Sequence, residues 1–300
     1  MTEVYVVSAK RTAIGSFGGS LKDMPPGALG AQVTRAAVAE AGVEPGAIGH
    51  VVFGQVVATE PADAYLARVA AVNAGIPVET PALTVNRLCG SGLQAIVSAA
   101  QAIKLGDCDM AVGGGAEVMS RAPYLVPAMR WGQKMGDATF VDAMTGALTD
   151  PFNKVLMGVT AENVAQRHQV SRADQDALAL TSQQRAANAV REGRFKSQIL
   201  PIEVKIRGKV ANFDTDEYVR QDPKLDDFSK LKPIFKPDGS VTAGNSSGIN
   251  DGAAAVVLAS AEAVKARGLK PLARLVSYGH AGVDPAYMGI GPVPATRKAL

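Results

Sequence analysis

Apolar residues cluster in short blocks at Val4 to Ser8, His50 to Val57 and Ala82 to Leu88, and between these blocks they recur at helical spacing. Short aliphatic runs separated by helix-periodic stretches predict alternating strands and helices, the pattern of an α/β chain. From Ser91 to Lys104 the residues Leu93, Ile96, Val97, Ala100 and Ile103 fall three or four apart, and Gly106 stands where such a helix would stop. Asp109 to Gly113 then reads as a buried strand. Cys89 therefore falls on a strand-to-helix turn.

The pattern changes after Gly113 to Gly115. A region rich in Met, Arg, Lys and Asp runs to about Pro237 with few strand-like blocks, and it reads as an inserted subdomain. Within it Ser171, three residues before Asp174, predicts a capped helix through Ala177, Leu178, Ala187 and Val190 to Gly193. From Ile202 to Lys236, Asp214, Asp216, Glu217, Asp226 and Asp227 mix with Arg207, Lys209, Arg220, Lys230 and Lys232, and a loop-dominated stretch is expected. Sheet structure is expected again at Val256 to Leu258 and Ala273 to Tyr278, with Leu269-Lys270-Pro271 as the joint between helix and strand. Pro294 opens a helix that carries Arg297, Lys298 and Leu300 without a cap, so the sequence is expected to stop short of a finished second half.

Composition narrows the class. With 300 residues, 47% hydrophobic and 20% charged, the chain can bury a large core as one large domain or two. Abundant Ala and Gly with only 5% aromatics suit close packing of helices on sheets. An acidic residue near the start where a secretory signal needs positive charge, and apolar runs too short for a bilayer, lead to the expectation of a soluble protein without export or membrane association. Two cysteines without a CxxC pair and three histidines suggest neither a disulfide framework nor a metal site, and a cytoplasmic location is expected. A net charge of +3 rules out little about partners, although it argues against a dedicated nucleic-acid binder.

Chemistry concentrates at Asn86-Arg87-Leu88-Cys89-Gly90-Ser91-Gly92. A thiol at a helix amino terminus faces unpaired N–H groups and the positive end of the macrodipole, which favour the nucleophilic thiolate. Gly90 and Gly92 would let a substrate carbonyl approach the backbone, and the Cys89 amide could donate to a developing oxyanion. The competing reading is a small core cysteine, and the turn alone leaves both open. Gly113 to Gly115 has neither the spacing of a dinucleotide fingerprint nor the Lys-Ser/Thr of a P-loop, and these glycines are read as permitting close passage of a strand behind the turn.

Val85 to Ala95 resembles, residue by residue, the nucleophile segment of the thiolases. Arg11 to Gly15, Gly113 to Ser120, Met157-Gly158 with Thr160 to Asn163, and Val241 to Gly252 also resemble signatures of that family, in order, so the likeness spans the whole chain. The resemblance implies a five-layered α/β/α/β/α fold with an inserted loop domain. Here it would comprise a first half at 1–118 and 243–270, a loop domain at 119–242 for CoA binding and oligomerisation, and an incomplete second half at 271–300. It implies a short-chain, biosynthetic-type acetyl-CoA C-acetyltransferase. Such an enzyme condenses two acetyl-CoA, or cleaves short 3-ketoacyl-CoA, through an acyl group on Cys89. By resemblance Arg220 and Ser247 lie near CoA, while Leu156, Met157 and Met288 line the acyl pocket. Leu156 stands where the family usually has histidine. CoA thioesters would be substrates with no permanently bound cofactor, and the assembly a homodimer or homotetramer. The family's Asn-Glu-Ala-Phe, Gly-His-Pro and Cys-x-Gly-Gly-Gly segments do not occur in the sequence, so slow turnover is expected of these 300 residues alone. His280 and Cys108 are not taken as their substitutes. Two other readings are a non-catalytic thiolase-like subunit and a ketoacyl-synthase-type condensing enzyme.

Overall fold

The computed structural model describes residues 2–206 and 208–300, so Arg207, counted above among the mixed charges, lies outside the described residues. The chain divides into two compact units. The first comprises residues 1–123, 197–217 and 249–276; the second comprises 124–196, 218–248 and 277–300.

The first unit is built on a seven-stranded mixed sheet. Its strands are β1 (Val4–Arg11), β2 (Gly15–Ser16), β3 (His50–Gly54), β4 (Ala82–Val85), β5 (Met110–Val118), β6 (Asn250–Ser260) and β7 (Ala273–Arg274). They lie in the order β7-β1-β6-β5-β3-β4, with β2 paired to β6. The β5-β3-β4 strands run parallel, whereas β6 is antiparallel to both β1 and β5. Helices α1 (Pro26–Glu40) and α2 (Leu66–Asn73) cover one face, and α3 (Ser91–Leu105) covers the other.

This layering explains the apolar blocks. Along β3, Val51 and Phe53 enter the core under α1 and α2, while Val52 enters the one under α3. A strand covered on both faces has no solvent side, so its sequence reads as a continuous apolar run. The α3 face is built from Ala95, Ala99, Ala100 and Ile103 against Val52, Ala111 and Leu258, and these small side chains bring the helix close to the sheet. A Cβ added at Gly113 would lie 2.7 Å from the Ile96 Cα, and one at Gly54 would lie 2.5 Å from the Ser91 carbonyl carbon. The glycines thus allow the close passage expected of Gly113 to Gly115. The helix ends at Gly106 in the left-handed conformation, with φ of 84°.

Two segments differ from the sequence expectation. Ile202–Ile206 and Lys209–Phe213 form an antiparallel hairpin where a loop was expected. Ile202, Val204 and Phe213 enter the core of the first unit, and that burial outweighs the many charges nearby. Conversely, the strand expected from Ala273 to Tyr278 pairs only at Ala273 and Arg274, opposite Val6 and Tyr5. Because β1 begins at Val4, the antiparallel register exhausts its partner once the Leu275 N–H has reached the Val4 carbonyl.

The second unit contains α4 (Met157–Arg167) and α5 (Arg172–Arg191), joined by the short connection 168–171. The Ser171 hydroxyl accepts from the Asp174 N–H, and the Asp174 carboxylate accepts from the Ser171 N–H, the reciprocal cap expected there. No helix among the described residues is long and apolar enough to cross a membrane.

Candidate active site

The turn that carries Cys89 occupies the residues between β4 and α3, at the carboxyl end of a parallel strand. Leu88 has φ of +46°, a left-handed conformation that a branched side chain seldom adopts. Three polar groups hold it there. The Leu88 N–H donates to Asn86 Oδ1 at 2.9 Å, the Ser91 hydroxyl donates to the Leu88 carbonyl at 2.6 Å, and the Ser91 N–H donates to the same carbonyl at 2.9 Å. Ser91 Oγ also accepts from the Arg87 N–H at 2.8 Å. The consequence is a tight reversal that leaves Cys89 exposed as a free thiol immediately before the helix. No side chain caps α3 at Gly90, so the amino end of the helix keeps donors for an incoming oxyanion.

Behind the turn lies a half-buried carboxylate with no role assigned from the sequence. Glu117, near the end of β5, accepts from the Val56 N–H at 2.7 Å and the Val57 N–H at 3.1 Å. Burial pushes its carboxyl up, and the two amides pull it back. Asn86 Nδ2 donates to the Val56 carbonyl at 3.2 Å, which ties the Cys89 turn to the same loop. The available signal was a charged residue inside an otherwise apolar strand segment.

The other thiol differs. Cys108 is partly buried between Asp107 and Asp109, and burial together with those carboxylates raises it to about 11. It remains protonated at neutral pH. No group of three or more His, Cys, Asp or Glu among the described residues could hold a metal ion.

In the second unit a cavity of about 490 Å³ opens beside the amino end of α4. Leu156, Met157 and Ser247 all line it, with Phe235, Val164 and Gln175 among their neighbours. Its wall is apolar except for a few amide and hydroxyl groups, the character of a site for a largely hydrophobic ligand. The 240–246 loop that forms one side is pinned by two carboxylates. Glu162 accepts from the Ser240 and Val241 N–H groups at 2.8 and 2.7 Å, and Asp176 accepts from Asn245 Nδ2 at 3.0 Å while pairing with Arg172. Met288 is exposed and precedes Gly289, which lines the cavity. Arg220 is separate from the cavity lining: its exposed guanidinium lies over the Phe228 ring at 5.4 Å. His280 is exposed, with its ring 5.5 Å from Tyr278. The structure thus brings three of the predicted residues to one cavity, puts Met288 next to a lining residue, and places Cys89 in the first unit.

Residues 4–262 match the family model described as the N-terminal domain of thiolase. The chain is 64% identical over 299 residues to the beta-ketothiolase BktB of Cupriavidus necator, covering 99% of this chain and 76% of that protein. It is 51% identical over 302 residues to an acetyl-CoA acetyltransferase of Pseudomonas aeruginosa, covering 100% of this chain and 77% of that one. Among solved structures it superposes on human mitochondrial 3-ketoacyl-CoA thiolase in complex with CoA with a TM-score of 0.95 and 45% identity, covering 100% of this chain and 75% of that one. These matches do not favour the non-catalytic or ketoacyl-synthase alternatives.

Proposed function

The chain belongs to the thiolase family, and on that premise we propose how its residues carry the family's chemistry. It is an acyltransferase of the acetyl-CoA acetyltransferase type, acting in condensation of two acetyl-CoA or in thiolysis of short 3-ketoacyl-CoA. The Cys89 thiolate attacks the thioester carbonyl. A bond forms between the Cys89 sulfur and the acyl carbon, the carbon–sulfur bond to CoA breaks, and CoA leaves as a thiolate that takes up a proton. In condensation a second acetyl-CoA gives up an α-proton to a general base, its carbanion attacks the acyl carbon, and the Cys89 sulfur departs as a thiolate. Sulfur suits both steps because it is a good nucleophile and a good leaving group.

The observation that carries this reading is an exposed thiol held on a left-handed turn at the amino end of α3. The Cys89 and Gly92 amides are the donors we assign to the tetrahedral oxyanion. We assign the cavity wall at Leu156 and Met157, with Met288 beside it, to the acyl group and pantetheine arm. Ser247 takes a polar group of the arm, and the exposed Arg220 a phosphate of CoA. That assignment gives the second unit the CoA-binding role expected of a loop domain at 119–242, and the family likeness leads us to propose a homodimer or homotetramer.

The test is peptide mapping of the protein and of Cys89→Ala after incubation with acetyl-CoA. We expect an acetyl group on the Cys89 peptide, absent from the variant. Acetylation at a different residue, or CoA release undiminished in the variant, would overturn the assignment of the nucleophile.

A further inference from the structure

We propose that Glu117 is a positioning residue for Cys89, acting through Val56 and Asn86. The relay is continuous in hydrogen bonds. The two Glu117 oxygens take the N–H groups of Val56 and Val57, the Val56 carbonyl takes Asn86 Nδ2, and Asn86 Oδ1 takes the N–H of Leu88, whose left-handed conformation sets the direction of Cys89. The proposal rests on the reading of Cys89 as nucleophile.

Three features favour this over ordinary satisfaction of a half-buried group. Glu117, itself half-buried, shares its strand with Met110, Ala111, Val112, Ala116 and Val118, all buried, so an ionisable side chain there loses part of its hydration at a cost in free energy that an apolar residue would not meet. Both of its hydrogen bonds go to one short loop, immediately after β3, and that loop provides the acceptor for Asn86. Asn86 is itself exposed, so its two bonds are not forced by burial. They fit the two sides of an amide: a donor toward the loop and an acceptor toward the strained turn. A carboxylate accepting from two N–H groups fixes the Val56–Val57 backbone more firmly than a neutral acceptor would. Without it the Val56 carbonyl loses its fixed position, and the amide that braces Leu88 loses its anchor.

The experiment compares wild type, Glu117→Gln, Asn86→Ala, the double variant and Val204→Ala. Val204 is a buried residue of the hairpin outside the relay and serves as a control for lost stability. Each protein is kept well below its melting temperature, and the rate of acetyl transfer from acetyl-CoA to Cys89 is read by intact mass. We expect Glu117→Gln and Asn86→Ala each to slow transfer by about tenfold or more, because displacement of a nucleophile is costly even when binding survives. The double variant should be no slower than the worse single variant, since both cut one relay. Val204→Ala should keep the wild-type rate. If Glu117→Gln does not fold, Asn86→Ala on the exposed turn carries the test, with the same loss expected. Rates within twofold of wild type for either relay variant, or multiplied losses in the double variant, would overturn the proposal. Absence of acetylation in the wild type would instead count against the reading of Cys89 as nucleophile. In that case iodoacetamide alkylation rates at Cys89 in the same proteins decide the relay by the same pattern.

Discussion

Cys108 is flanked by Asp107 and Asp109, and burial with those two carboxylates pushes its thiol up to about 11. At pH 8 roughly one molecule in a thousand would carry the Cys108 thiolate, the only form that attacks an alkylating agent. Cys89 is exposed at a helix end instead. Brief treatment with iodoacetamide at pH 8, followed by peptide mapping, should label Cys89 faster than Cys108 by about a hundredfold or more. Equal labelling would contradict this environment of Cys108. Glycines separate packing from chemistry at the same scale. Gly113→Ala places a methyl group 2.7 Å from the Ile96 backbone and should cost about 1–3 kcal/mol in denaturant unfolding. A Cβ at Gly92 meets nothing within 4 Å, so Gly92→Ala should leave stability within about 0.5 kcal/mol of wild type. The sequence made the thiol at a strand-to-helix turn legible because Cys89 is framed by Gly90 and Gly92. It did not reveal the left-handed Leu88, since leucine carries no signal for positive φ and the conformation is imposed by Asn86 and Ser91.

Elements with one dominant period were the easiest to read. Helix α3 follows its 3.6-residue spacing to the glycine stop, and α5 follows its cap at Ser171. The hairpin at 202–213 was hidden by its charges, although Ile202-Glu203-Val204-Lys205-Ile206 alternates strictly and Gly208 turns the chain with φ of 79°. Alternation was the better guide there, because a half-buried strand puts charged residues on its solvent side. Phe213 is 6% exposed within the core cluster of the first unit. Phe213→Ala should therefore destabilise the protein by about 3 kcal/mol, measured by urea unfolding. A loss below about 1 kcal/mol would mean that the hairpin is not part of that core. At the other extreme, the expected strand through Tyr278 failed for a reason outside its own sequence: β1 offers no residues beyond Val4 with which to continue the ladder.

Across the whole molecule, carboxylates wholly or partly withdrawn from water give the sheet a pH signature that periodicity could not predict. Asp251, at the start of β6, is 1% exposed, and burial raises its carboxyl, with nearby Glu217 adding to the shift and the Ser120 hydroxyl and N–H opposing it. Glu117 is also raised, again chiefly by burial. A carboxyl raised in the folded state binds protons that the unfolded chain has already released. Stability from such a group is therefore greatest below the ordinary carboxylate range, at about pH 4, and falls as pH rises through the folded value. Asp150, whose carboxyl is held down by backbone and side-chain donors of Asn153 against the larger opposing effect of desolvation, acts in the opposite sense and loses its contribution as pH falls. A bulk stability curve would merge the two trends, so the test must isolate one. Asp251→Asn keeps the shape of the side chain and removes its titration. Between about pH 4 and pH 7 the wild type should lose denaturant stability relative to this variant, with the gap closing or reversing toward neutral pH. A difference that stays constant across that window would show that Asp251 ionises as freely in the folded protein as in the unfolded chain, despite the sheet around it.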